Sequence, residues 1–171
     1  MLNKFKLVFF IVIALSTLVL VNYSSPTYRI GKITGAEVKR VDASNEGSED
    51  DKSTKHLTRD VYYAYLQEDS GEPYVLRNED TGLGFPLYFK FDSANEQAKI
   101  RGFQDDKSRV LVKYYGWRVT ILSIFPNLLD VKKTTDMEAP FSITAIIMYS
   151  IWFLLFVTLY IFLFKRKKQN N

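Results

Sequence analysis

Two uncharged apolar runs, one near each end, constrain this chain more than any motif between them. From Phe141 to Phe164 there are 24 residues without a charge, followed at once by Lys165-Arg166-Lys167-Lys168. A core helix of a soluble protein keeps a polar face for water, and about six apolar turns leave none. The length suits a bilayer span with some tilt. The first run, Leu7 to Val21, holds 15 uncharged residues. That makes ~22 Å of helix, or ~25 Å if Lys6 snorkels and Phe5 joins it, against a hydrocarbon core of about 30 Å. A cleaved signal peptide shares this layout but needs an A-x-A-like pair of small residues at its exit. The exit here, Leu20-Val21-Asn22-Tyr23-Ser24-Ser25, has none. Residues 1–22 are therefore expected to stay as a signal-anchor, and 141–164 to form a second span.

Charge orients the two runs. Lys4, Lys6, Lys165, Arg166, Lys167 and Lys168 lie just outside them, with no acid among them, whereas residues 22–140 hold 17 Lys and Arg against 19 Asp and Glu. The pI near 9.1 thus comes from the ends, and no nucleic-acid partner is expected from it. The positive-inside rule puts both termini, including the basic tail 165–171, in the cytoplasm and residues 23–140 outside it. In a Gram-negative cell these sites are the inner membrane and the periplasm. The chain has no Cys and a single His, His56. That removes disulfides, thiolate ligands, Cys nucleophiles and His clusters, so no metal or cofactor is expected.

The middle, 15% aromatic over the whole chain, reads as one small β-rich domain. Tyr28 to Asp42 resembles a long strand bent at Gly31 and Gly35. Residues 43–56 hold four acids within positions 46–51 and no large apolar side chain, the composition of a mobile loop. The spacing of a calcium loop is missing there. Strands follow at Arg59 to Gln67 and, after a turn at Asp69 to Pro73, at Tyr74 to Arg77. Phe85, Leu87, Phe89 and Phe91 alternate with Pro86, Tyr88 and Lys90, the clearest strand pattern in the chain. Ser93-Ala94-Asn95-Glu96 has capping-box spacing for a short helix that Gly102 would stop. Val110, Val112 and Tyr114 alternate next. After a shift at Gly116, Trp117, Val119 and Ile121 carry that pattern on until Phe125-Pro126 ends the strand, and Leu128 to Lys133 reads as a last short one. With Tyr74 to Arg77 and Phe85 to Phe91 taken as one split strand, the helix falls between the third and fourth of five strands, the order of an OB-like barrel, although other small barrels read almost the same.

Five blocks of residues carry a resemblance: Ile33 to Arg40, Arg77 to Gly82, Tyr88 to Ser93, Tyr114 to Arg118, and Ser123 to Asn127. Together they resemble a bacterial family of small membrane-anchored proteins of unknown function, over residues 28–130. The resemblance implies a bacterial or phage source and a catalytic role for no residue.

Motifs for chemistry are sparse. Asp80-Thr81-Gly82 matches the aspartic-protease triplet, but that chemistry needs two carboxylates and an apolar strand leading in. A turn with glycine at positive φ explains the triplet. Gly82-Leu83-Gly84 lacks the third glycine of a phosphate loop. No ionisable residue lies inside either run, which speaks against a proton path. The most suggestive set is Arg77, Asn78, Glu79 and Asp80 with Tyr114, Tyr115, Trp117 and Arg118. Aromatic faces beside hydrogen-bonding rims grip sugars or peptides; equally, the rings fill the barrel and the arginines pair with acids at its rim. The expectation is a non-enzymatic envelope protein whose partners are the bilayer and other membrane proteins or itself. The alternative is a ligand-binding module for a cell-wall glycan or peptide.

Overall fold

The computed structural model describes residues 2–42 and 58–165. The expected acidic loop at 43–56, with His56, and the tail beyond Lys165 lie outside the described residues. The chain divides into two compact units, one made of its two end segments and the other of Tyr28–Ala139.

The end segments form two helices, α1 (Leu2–Ser24) and a C-terminal helix, α3 (Ile143–Lys165). Both are long and apolar enough to cross a membrane. They run antiparallel. Asn22 Nδ2 donates to the Tyr149 hydroxyl at 2.7 Å, Trp152 Nε1 donates to Thr17 Oγ1 at 3.0 Å, and the Phe10 ring meets Phe156 at 5.7 Å and Phe164 at 6.1 Å. Tyr149, Trp152, Phe156 and Tyr160 recur at helical spacing and make one stripe, the face turned to α1. In an apolar medium, directional hydrogen bonds and ring packing are what distinguishes one helix face from another.

Between them in sequence lie β1 (Thr27–Asp42), β2 (Thr58–Gln67), β3 (Pro73–Asn78), α2 (Ser93–Asp106), β4 (Arg109–Tyr115) and β5 (Asn127–Lys133). The strands close into a barrel in the order β1-β2-β3-β5-β4, with β3 and β5 parallel and the pairs β1–β2, β2–β3 and β4–β5 antiparallel. This is the expected five-stranded OB-like arrangement, with α2 joining β3 to β4. Ile33, Leu66, Leu76, Ile100, Val110, Val112 and Leu128 fill the interior. The bend in β1 has two causes. At Gly31 a Cβ would stand 2.4 Å from the Gln67 carbonyl oxygen, and the β1–β2 register slips between Ile33 and Gly35. The β2–β3 turn closes with Gly71 at φ +88°, its amide donating to the Glu68 carbonyl at 2.9 Å.

Three local expectations are corrected. Phe85–Phe91 is a loop, not a strand, and Phe85, Leu87, Phe89 and Phe91 are all exposed. Phe89 sits at φ +50°, which breaks the extended alternation, and the Lys90 carbonyl folds back to accept the Thr81 and Gly82 amides. Trp117, Val119 and Ile121 do not prolong β4. The chain leaves the sheet at Gly116 (φ +89°) and makes a small hairpin whose one bridge joins Val119 to Ile124. Finally, α2 runs through Gly102 and stops at Lys107, in the left-handed conformation. Ser93 lies inside it rather than capping it. Glu96, instead of reaching back, is buried and accepts the Val131 amide of β5.

Register places the barrel's ends. Asn78, Tyr115 and Asn127 meet at one end, through the pairs Arg77–Asn127 and Tyr115–Asn127. At the other end Lys32 pairs with Gln67, Thr134 donates to the Arg109 carbonyl at 3.0 Å, and Arg109 pairs with Asp69. The loops 79–92 and 116–126 therefore leave from one end, and the unit's first and last residues lie at the other.

Candidate functional site: an apolar rim on a polar base

The rim consists of those two loops. Leu83, Phe85, Leu87, Phe89 and Phe91 stand exposed on the first. Ile121 (95% exposed) and Leu122 stand on the second, with the less exposed Trp117 and Ile124 beside them. Neither 81–91 nor 116–129 contains an acidic residue, although the chain has 19 of them.

The base that holds the rim is polar and buried. Lys90 is 6% exposed. Its Nζ donates to Asn78 Oδ1 and to the Leu128 carbonyl, and its amide donates to Thr81 Oγ1. Asn78 Nδ2 donates in turn to the Ser93 carbonyl and to Gln97 Oε1, whose own amide nitrogen donates to the Tyr63 carbonyl. Burial pulls the Lys90 ammonium down to about 8, against the attraction of Glu96, Asp92, Asp80 and Asp130. Burying a charge beside neutral acceptors is costly, so this lysine holds the loop at some expense of stability.

The other expected residues divide between base and barrel. Asp80 Oδ1 accepts the Ser93 amide at 2.8 Å, satisfying one of the unpaired N–H groups at the start of α2. The D-T-G triplet is a turn, closed from Gly84 N to the Thr81 carbonyl at 2.9 Å with Gly82 at φ +53°. Glu79 forms an ion pair with Arg77, and its backbone is bracketed by the Asn127 amide at 2.9 and 3.0 Å. Tyr115 is buried, stacked 5.0 Å from Tyr88, and accepts from Asn127 Nδ2. Burial pushes the Tyr88 phenol up to about 12. Arg118 lies 4.0 Å over the Phe125 ring and donates to the Ile124 carbonyl, bracing the hairpin. Phe125 packs edge-on against Tyr63, which also faces Lys39.

Thus Arg77, Asn78, Glu79, Asp80 and Tyr115 gather at the base of the rim, and Trp117 and Arg118 belong to its second loop. Tyr114 is separate. It is buried in the core, and its hydroxyl accepts from Arg29 Nε at 2.9 Å. The rim's exposed Phe and Leu residues, the Lys90 pin and the Asn127 bracket were not among the expected site residues. Gly82, Gly84 and Pro86 were the available signal, because such residues crowd loops rather than the middle of a strand. Among the described residues, no three His, Cys, Asp or Glu side chains are placed to hold a metal ion.

Comparison with known proteins agrees with the resemblance and extends it. An uncharacterized protein of Haemophilus influenzae is 44% identical over 120 residues, 70% of this chain and 68% of that one. No solved structure matches the chain. The model of a family described as "Protein of unknown function (DUF1523)" matches residues 2–167, and so includes both apolar helices as well as the barrel. This chain belongs to that family.

Proposed function

We propose that this is a non-enzymatic bacterial inner-membrane protein, both termini cytoplasmic, whose periplasmic barrel docks another envelope protein through its apolar rim. The carrying observation is the set of large apolar side chains left exposed on two neighbouring loops of an otherwise filled barrel. Large apolar side chains concentrated at one end of a folded domain point to an interaction site there. The acid-free stretches 81–91 and 116–126, with Arg118 in the second, suit a partner that is apolar with some negative charge. Support for the topology comes from the basic flanks and the antiparallel helix pair. Support for a binding role over catalysis is that Asn78, Asp80 and Lys90 are committed to holding backbone and loops, and the Glu79 carboxylate to pairing with Arg77.

The test is photo-crosslinking in cells expressing the full chain, with the reactive residue at Phe89 or Leu122. A discrete protein adduct is expected, lost when Ile121 is changed to Asp while abundance stays normal. Capture of glycan alone would replace this reading with the ligand-binding one.

A further inference from the structure

At the barrel end away from the rim, a cleft of about 270 Å3 opens between the start of β1, the β2–β3 turn and the segment after β5. Its walls are dipolar. Arg29 stands on one side, with Glu68 and Asp69 facing it from the turn. The guanidinium is a prepared group. Its carbon lies 4.0 Å over the Tyr74 ring, Nε donates to the Tyr114 hydroxyl, and Nη1 pairs with Glu68. Burial works against its charge, but the hydrogen bonds to Tyr114 and Glu68 outweigh that and hold it protonated. Asp69 pairs with Arg109, whose Nη1 also contacts the Met137 sulfur at the cleft's edge.

The cleft's position in the chain narrows the ligand. Tyr28 and Ala139 both line it. α1 ends at Ser24 and α3 begins at Ile143, so only residues 25–27 and 140–142 intervene. Three extended residues reach ~10 Å. If the helices span a bilayer, the cleft's walls lie within reach of the headgroup layer. A fork of guanidinium donors matches a phosphate, and a pair of carboxylates matches a primary ammonium. An anionic headgroup without an amine offers Glu68 and Asp69 neutral hydroxyl donors at most, and no charge to set against their carboxylates.

We propose that this cleft binds the headgroup of a zwitterionic phospholipid carrying a primary amine, with the phosphate on Arg29 and the ammonium on Glu68 and Asp69. The proposal rests on the membrane anchoring proposed above and on nothing about the rim. Native mass spectrometry of the detergent-purified full chain, given equal phosphatidylethanolamine and phosphatidylglycerol, tests it. Wild type is expected to retain phosphatidylethanolamine about tenfold over phosphatidylglycerol. Glu68→Gln, which keeps a hydrogen bond to Arg29, is expected to erase that preference without lowering the melting temperature by more than a few degrees. Equal retention of both lipids by wild type, or an unchanged preference in Glu68→Gln, would overturn the proposal. Glycerophosphoethanolamine, the same headgroup without acyl chains, is expected not to displace the lipid at equal concentration; displacement would point to a soluble phosphoamine as the ligand and overturn the lipid assignment. Carbonate extraction of membranes separates the two ideas. A protein that washes off fails the anchoring, whereas one that stays but shows no lipid preference fails only the cleft.

Discussion

The helix pair and the barrel both expose many Phe, Leu and Ile side chains, and the exposure means different things in the two places. On α1 and α3 the apolar residues go round the whole circumference, and what singles out a face is polarity: Asn22 to Tyr149 and Trp152 to Thr17. In the barrel most apolar residues of the strands turn inward, Val38 being an exception, and those left outside concentrate in the loops 83–91 and 117–124. Exposed apolar surface is ordinary for a segment whose solvent is lipid. In a domain whose solvent is water it costs free energy that a partner recovers.

The comparison breaks most clearly at matched leucines. Leu128→Ala empties a fully buried site in the barrel and is expected to lower its stability by about 2–5 kcal/mol. Leu154→Ala, on an exposed face of α3, is expected to change the helix pair by less than about 0.5 kcal/mol. Chemical unfolding of the full chain in detergent, followed by near-ultraviolet dichroism, measures both. Equal losses would mean that α3 is packed like a soluble core.

Lys90 sharpens the barrel side. Lys90→Met leaves Asn78 Oδ1 and the Leu128 carbonyl without their donor, at about 1–3 kcal/mol for each buried group, partly offset by removing a buried charge. Hydrogen exchange should then quicken through 79–92 before it does in the strands. The same residue sets a pH dependence. Its folded-state value, about 8, lies below the ordinary 10.5. Between those values the unfolded chain binds the extra proton, so the barrel gains stability as pH rises from 8 toward 10. Denaturant midpoints at pH 7.5 and 9.5 check this, and a fall would show that the ammonium is paired rather than merely buried.

Smaller effects follow. Asp80→Asn keeps an acceptor for the Ser93 amide and loses only the charge at the start of α2, so about 0.3–1 kcal/mol is expected, with binding at the rim intact. A folded, abundant variant that no longer crosslinks would return Asp80 to the functional residues. Thr17→Val removes the partner of Trp152 and is expected to weaken the helix pair by about 0.6 kcal/mol. Disulfide trapping between introduced cysteines reads it without interference, because the chain has none of its own.

The OB-like order was legible because it depends on period-2 alternation in short segments and on one helical interval between them, both written locally. Much of the site was not legible, and the Phe85–Phe91 loop shows why. Alternation says that two faces differ but not which face meets the core. Here Lys90, on the polar side of the pattern, is the one that goes in, and its neighbours Phe89 and Phe91 are left out. Tyr114 and Tyr115, adjacent and chemically alike, likewise separate. The first joins Arg29 in the core and the second sits beneath Tyr88.

Hydropathy, a sum over consecutive residues, was enough to mark the two end helices, and no tertiary contact enters that property. Composition likewise removed thiol chemistry, because the chain has no Cys. What only the folded barrel decided is which groups come together across distance: Lys90 with Asn78 and Leu128, Asn127 with Glu79, Arg29 with Glu68 and Tyr114. Those contacts join residues far apart in sequence. They exist because strand register and barrel closure put the ends of β3, β4 and β5 at one place, which no local pattern encodes.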